Sequence, residues 1–132
     1  MSYVLDTTVV VDHVDGYPPA IELIERLFSE TGDLYTCDVV TCEALSKGRG
    51  HVLRAKQTLL DALEYVALAP EGARWAGYRR RERIESGRAK PSTGDALIAA
   101  LANSLGATVV TRNAKDFAAF DVPVLGYGEA LA

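Results

Sequence analysis

The run TGDALIAALANSLGATVVTRNAKDF, residues 93–117, strings together an unusually apolar helix, a glycine stop, a short β-branched strand and an acidic loop. Two carboxylates punctuate it: Asp95 where the helix begins and Asp116 just past the strand. Neither place is one where packing alone calls for an acid. A helix delivered into a strand is the unit of an α/β fold, so the next question is whether the rest of the chain repeats it.

It does. Tyr3 to Leu5 carry a short strand pattern that stops at Asp6, and Val9 to Val11 resume too soon for a paired strand, which predicts a turn into a short helix. From Pro18, apolar residues recur at helical spacing until Thr31-Gly32-Asp33. Leu34 to Cys37 is the second predicted strand, and Asp38 is placed to cap a helix running through Glu43 to Leu45. A helix from about His51 to Leu63 follows, with Val52, Leu53, Leu59, Leu60 and Leu63 as its apolar stripe. Tyr65 to Leu68 reads as a third, buried strand, and Pro70 opens a helix carrying Trp75 and Tyr78. Thr108 to Thr111 is the fourth strand, Phe117 to Phe120 a short helix, and Val122 to Leu125 the fifth strand. Strands separated by helices throughout predict an α/β fold with a parallel sheet.

With 132 residues, 48% of them hydrophobic, the chain suits one domain over 1–132 with a substantial core. No apolar run approaches the ~18 residues of a membrane span, and the N-terminus has no basic region of a signal peptide, which points to a cytoplasmic protein. Cys37 and Cys42, with four residues between them, and the distant His13 and His51 make a poor zinc set. Both thiols are expected to be small buried residues in a reducing compartment. Gly48-x-Gly50 follows a helix and lacks a third glycine, so it is no phosphate loop.

The net charge of −4 is unevenly spread. Arg74, Arg79, Arg80, Arg81, Arg83, Arg88 and Lys90 face only Glu82 and Glu85 within one window, a net of +5 that leaves −9 for the rest. The whole chain does not look like a nucleic-acid binder, but that segment does.

In a parallel sheet, functional groups collect at the carboxyl ends of the strands. Asp6 ends the first strand, Glu43 lies in the helix after the second, Asp95 opens the helix feeding the fourth, and Asp116 follows the fourth. All four are therefore expected on one rim. Each has a plainer reading. Asp6 can cap the following helix. Glu43 can face solvent. Ser92-x-x-Asp95 looks like a capping box favoured by the helix dipole, and Asp116 can join Asn113 in capping the short helix. Capping does not explain why all four share an edge. Clustered carboxylates raise one another's proton affinity unless a cation compensates. An oxygen-only set favours a hard ion, Mg²⁺ or Mn²⁺, which suits metal-dependent phosphodiester hydrolysis.

At these residues the chain resembles the PIN-domain ribonucleases, specifically the VapC-type toxins of bacterial toxin–antitoxin pairs. The resemblance covers essentially the whole chain. It rests on Val4-Leu5-Asp6-Thr7, on Glu43-Ala44-Leu45, on the run from Asp95 to Ala102, and on Thr111-Arg112-Asn113-Ala114-Lys115-Asp116-Phe117. It implies a three-layer α/β/α domain with a five-stranded parallel sheet, and a metal-binding quartet of Asp6, Glu43, Asp95 and Asp116. Asp6 and Asp95 would be the most direct ligands, and Glu43 would bind the ion or activate the attacking water. Thr7, Thr111 and Asn113 would steady the carboxylates by hydrogen bonds. It further implies endonucleolytic RNA cleavage leaving a 5′-phosphate, a homodimer, and an antitoxin whose C-terminal segment enters the acidic groove. The family often carries Ser or Asn where this chain has Thr8.

An acidic pocket repels RNA, so cations are needed beside it. Arg79, Arg80, Arg83 and Lys90 are the candidates, with Trp75 or Tyr78 to stack a base; the plainer reading is a solvated helix face with Trp75 turned to the core. Two other classes compete. A haloacid-dehalogenase-type phosphatase would want an acid at position 8 and a placed lysine. A phospho-receiver would want an acid after the third strand, where Leu68-Ala69-Pro70 offers none. A non-catalytic acidic binding domain is the remaining alternative.

Overall fold

The computed structural model describes residues 1–30, 32–88 and 91–128. Along the chain run β1 (Tyr3–Leu5), α1 (Thr7–Val14), α2 (Pro18–Glu30), β2 (Leu34–Thr36), α3 (Asp38–Leu45), α4 (Gly50–Asp61) and β3 (Glu64–Tyr65). These are followed by α5 (Pro70–Glu85), α6 (Thr93–Leu105), β4 (Thr108–Thr111), a 3-10 helix (Ala114–Phe120) and β5 (Val124–Gly126).

The five strands form one sheet in the order β3-β2-β1-β4-β5, parallel at every pairing. The order reverses at β1, whose neighbours are β2 on one side and β4 on the other. At such a reversal the connections leave in opposite directions and open a crevice at the carboxyl ends of the two central strands. The register places Leu5 opposite Val110, and the Asp6 N–H reaches the Val110 carbonyl at 2.9 Å. Asp6 and Thr111 therefore come off the sheet side by side.

Helices cover both faces, giving the expected α/β/α layering. α1 packs on α2, α3, α4 and β4, whereas α6 packs on β1, β4, α5 and the 3-10 helix. α6 is the most deeply embedded of them: Ala96, Ile98, Ala99, Ala100, Leu101 and Ala102 are all buried. Small alanines let it lie close to the sheet, and Ile98 and Leu101 each contribute about 1.5–3 kcal/mol of burial. Ser92 caps its start, accepting the Asp95 N–H at 3.0 Å, and Gly106, at φ 63° and ψ 32°, ends it in the left-handed conformation. The helix is thus held rigidly at both ends.

Four sequence expectations need correction. The third strand is only Glu64–Tyr65 and both residues are exposed. Beyond it, the apolar Val66 and Leu68 pack against the core as irregular chain, with Leu68 lodged over Gly72 of α5. Cys37 is buried but Cys42 is exposed, because it lies on the solvent side of the short α3. Asp38 is the first residue of α3, and the residue at its cap position is Cys37. The stripe of α4 is centred on Leu59, Leu60 and, unexpectedly, Lys56, which is 5% exposed. Among the described residues no helix is long and apolar enough to cross a membrane.

Candidate metal centre

Asp6 is the most constrained of the four acids. It is 4% exposed, and three donors hold its carboxylate: the Thr7 N–H at 2.8 Å, the Thr111 hydroxyl at 2.8 Å and the Thr8 hydroxyl at 3.0 Å. Thr8 in turn accepts the Arg112 N–H at 3.2 Å, and Thr111 accepts the Asn113 N–H at 3.0 Å. The adjacency of β1 and β4 thus becomes a small lattice of hydroxyls around one carboxylate. The capping reading of Asp6 also holds, since it is the N-cap of α1. Both roles fall on the same side chain.

Glu43 projects from α3 toward α1, where the Thr7 hydroxyl donates to its Oε1 at 2.6 Å. Asp95 stands in the first turn of α6. Asp116 lies in the first turn of the 3-10 helix, its N–H bonded to the Asn113 carbonyl at 3.0 Å. All four carboxylates, with Asn113, line one open hollow of about 450 Å³ at the carboxyl end of the sheet. Ser46 and Lys47, just past α3, complete its wall.

Burial pushes the Asp95 carboxyl up to about 6, reinforced by the charges of Asp6, Asp116 and Glu43 and opposed by its bond to Ser92. Burial also raises Asp6, against the pull of its three hydrogen bonds. Among the described residues none of the four acids is ion-paired. Four acids therefore share a hollow in which their own charges are undercompensated. The donors are carboxylate and hydroxyl oxygens, so the chemistry fits a hard divalent cation. The side chains are not drawn in around a single point: among the described residues no three acidic, histidine or cysteine groups already stand in ligand geometry.

Two residues of the rim, Lys47 and Gly94, carry no signal in the sequence, and a third, Thr8, stands out there only as a departure from the family pattern. Thr8 donates to Asp6 two residues before it, and the β1–β4 adjacency also brings the Arg112 N–H onto its hydroxyl. Lys47 reads as a solvated loop cation, yet it lines the hollow. Gly94 reads as a helix residue, but its bare backbone leaves room for the Glu43 carboxylate. The basic helix divides. Trp75 is turned inward, 6.2 Å from the Phe120 ring, with the Arg79 guanidinium over its outer face at 5.1 Å. Tyr78 is exposed. Arg80 donates to the Pro91 carbonyl at 3.1 Å. Arg83 lines a second hollow with Asp95, Asp116 and Lys115. Lys90 and the tail after Gly128 lie outside the described residues.

Comparison with known proteins agrees with this architecture. The family model of the PIN domain matches residues 3–123. Ribonuclease VapC19 of Mycobacterium tuberculosis is 30% identical over 116 residues, covering 88% of this chain and 92% of that protein. Among solved structures, VapBC2 from Rickettsia felis, bound to a DNA fragment from its promoter, superposes with a TM-score of 0.82 at 22% identity, covering 97% of this chain and 100% of that one. DNA-bound VapBC from Salmonella typhimurium gives a TM-score of 0.81 at 21% identity, over 96% and 98% of the two chains. The phosphatase and binding-domain alternatives find no support in these matches. The chain belongs to the PIN-domain family, and within it stands with the VapC proteins.

Proposed function

We propose that residues 1–132 act as a single PIN domain, a Mg²⁺- or Mn²⁺-dependent endoribonuclease that serves in the cytoplasm as the toxin of a toxin–antitoxin pair. The observation that carries the reading is the meeting of Asp6, Glu43, Asp95 and Asp116 on one hollow at the carboxyl end of the sheet, with none of the four ion-paired among the described residues. A site so arranged is costly to an empty protein and useful to one that gathers a divalent cation. The name of the M. tuberculosis relative supports RNA as substrate, and the VapBC complexes among the structural neighbours support an antitoxin partner. A homodimer fits the same family.

Asp6, Asp95 and Glu43 would hold the ion, with Asp116 contributing directly or through water. When bound, the ion acidifies a water and neutralises charge on the phosphodiester. The chain's residues do the rest. Thr7, Thr8 and Thr111 fix the orientation of Asp6, so that one ligand costs no reorganisation. The rigid first turn of α6 presents Asp95. Glu43, exposed and held by the Thr7 hydroxyl, would orient the attacking water and take its proton. Asn113 steadies this edge through its N–H bond to Thr111.

The test is cleavage of RNA by purified protein in Mg²⁺, in EDTA, and by Asp95→Asn. Loss of cleavage in the last two supports the reading; equal cleavage in all three removes the metal mechanism. Transfer of phosphate onto Asp6 would point to phosphatase chemistry instead. An antitoxin is tested by co-expressing the small protein encoded beside this gene and asking whether the two purify together and cleavage stops.

A further inference from the structure

The acidic hollow is the middle of a longer trough. On one side it shares Thr7, Thr8, Val11 and Asn113 with a hollow of about 390 Å³ that ends on Arg112. On the other it shares Asp95 and Asp116 with a hollow of about 290 Å³ walled by Lys115 and Arg83. Arg83 and Ala119 then continue into a hollow of about 350 Å³ that also carries Arg79 and Arg88. Acids at the centre and cations at both ends are what a polyanion needs if only one of its phosphates is to meet the acidic centre.

The end cations are not all in the same state. Arg112 is anchored: its guanidinium pairs with the buried Asp12 at 3.3 Å and lies 5.2 Å from the centroid of the Tyr17 ring. Asp12 is itself held by the Tyr127 hydroxyl at 2.7 Å. The Arg112 side chain remains half exposed and lines this end of the trough. Arg79 is occupied by Trp75 and, at 3.4 Å, by Asp121. Arg83 has neither: its Nε is buried without a hydrogen-bond partner, and no ion pair forms to it among the described residues. A buried guanidinium nitrogen left unmatched costs stability, and a phosphate oxygen is the acceptor a guanidinium fits best.

Resting on the nuclease reading above, we propose that a single RNA strand lies along this trough across the carboxyl edge of the sheet. Lys115 and Arg83 take the phosphate on one side of the scissile bond, and Arg112 takes the phosphate on the other. Arg80, engaged with a backbone carbonyl, is left out, and the path runs between α5 and the 3-10 helix. The acidic centre therefore meets one phosphate only, with its neighbours already neutralised.

The experiment measures binding of a fluorescein-labelled, unstructured 20-nucleotide RNA to Asp95→Asn protein in Mg²⁺ as a function of salt. It adds Lys115→Gln, Arg83→Gln or Arg112→Gln singly, with Arg26→Gln on α2 as control. Each trough variant should weaken binding several-fold and flatten the log–log salt dependence, by about 0.7 for Arg112→Gln, the loss of one phosphate contact on a single strand, and by less for Lys115→Gln or Arg83→Gln, which share a phosphate. The control should match its parent. With Asp95 restored, the same three changes should raise KM while kcat stays within about twofold. Unchanged slopes and KM in all three, with thermal melts showing folded protein, overturn the trough. Because Arg83 is partly buried, exposed Lys115 provides the independent case. Wild-type protein that binds with these slopes but never cleaves refutes the nuclease and leaves the trough standing; no RNA binding at all refutes both.

Discussion

A Cβ at position 94 would stand 2.8 Å from Oε2 of Glu43, so the absence of a side chain on Gly94 is what lets the α3 carboxylate close on the start of α6. The atom it would strike is the far end of a flexible side chain, so Glu43 would move and the helix would not. Gly94→Ala should therefore leave the melting temperature unchanged or slightly higher, since alanine is the better helix former by up to about 1 kcal/mol. Its cleavage rate should fall about tenfold or more, because Glu43 must redraw its bond to Thr7. Single-turnover rates beside thermal melts check this; a wild-type rate would mean that the position of Glu43 is not critical.

The carboxyl of Asp95, held up to about 6, ties stability to pH with a definite sign. Between about 4 and about 6 the native protein holds a proton there that the unfolded chain has released, so stability from this group falls as pH rises through that window. Above it the loss is complete and constant. Asp95→Asn should consequently stabilise metal-free protein at pH 7, by about 1–2 kcal/mol after allowance for solvent screening. The advantage should vanish toward pH 4. Mg²⁺ should raise the wild-type melting temperature at pH 7.5 and much less at pH 5, where a proton competes for the same oxygen. Melts of both proteins across pH, with and without the ion, decide the sign.

Thr111 is fully buried and gives its hydroxyl to Asp6. Thr111→Val keeps the shape and removes the donor, leaving a buried carboxylate short of one bond and the Asn113 N–H without its acceptor. A cost of about 1–3 kcal/mol follows. Hydrogen bonding to the Thr111 side chain is also the foremost influence lowering Asp6 against its burial. Without it the proton is held more tightly, and the acid limb of the pH–rate profile should move to higher pH. Thr111→Ser should restore the profile, which a purely structural role would not predict.

The order of elements and the common edge of the four acids were legible because each depends on local pattern and on one topological rule. Asp6, Glu43, Asp95 and Asp116 needed only a strand end or a helix start to be placed. What escaped depended on neighbours far apart in sequence. The hydroxyl of Thr8 meets Arg112 and Thr111 only once β1 lies beside β4, and Gly94 matters only because α3 brings Glu43 against it. Val66 and Leu68 read as strand in the sequence because an apolar run buried in a sheet and one packed beneath a helix have the same composition. Lys56 was least legible of all, since a lysine amid a helix reads as solvated.

Lys56 has a structural task that bears on the site. Its ammonium is buried and donates to the carbonyls of Ala44 at 3.0 Å and Lys47 at 2.9 Å. Those groups belong to the last turn of α3 and the residues just after it, where carbonyls lack helical partners and the dipole is negative. The lysine thus reaches in from α4 to cap a neighbouring helix. Lys56→Met preserves an unbranched chain and removes the charge and both donors, stranding two carbonyls under α4. The loss should be about 2–3 kcal/mol, roughly 5–10 °C in melting temperature. Glu43 sits one residue before the capped carbonyl, and Ser46 and Lys47 line the acidic hollow, so the damage should spread to the site. Amide exchange should quicken from residue 43 to residue 47 while α6 stays protected, and cleavage should slow even at temperatures where the variant is fully folded. Normal exchange in that segment would mean that α3 holds its end without the lysine.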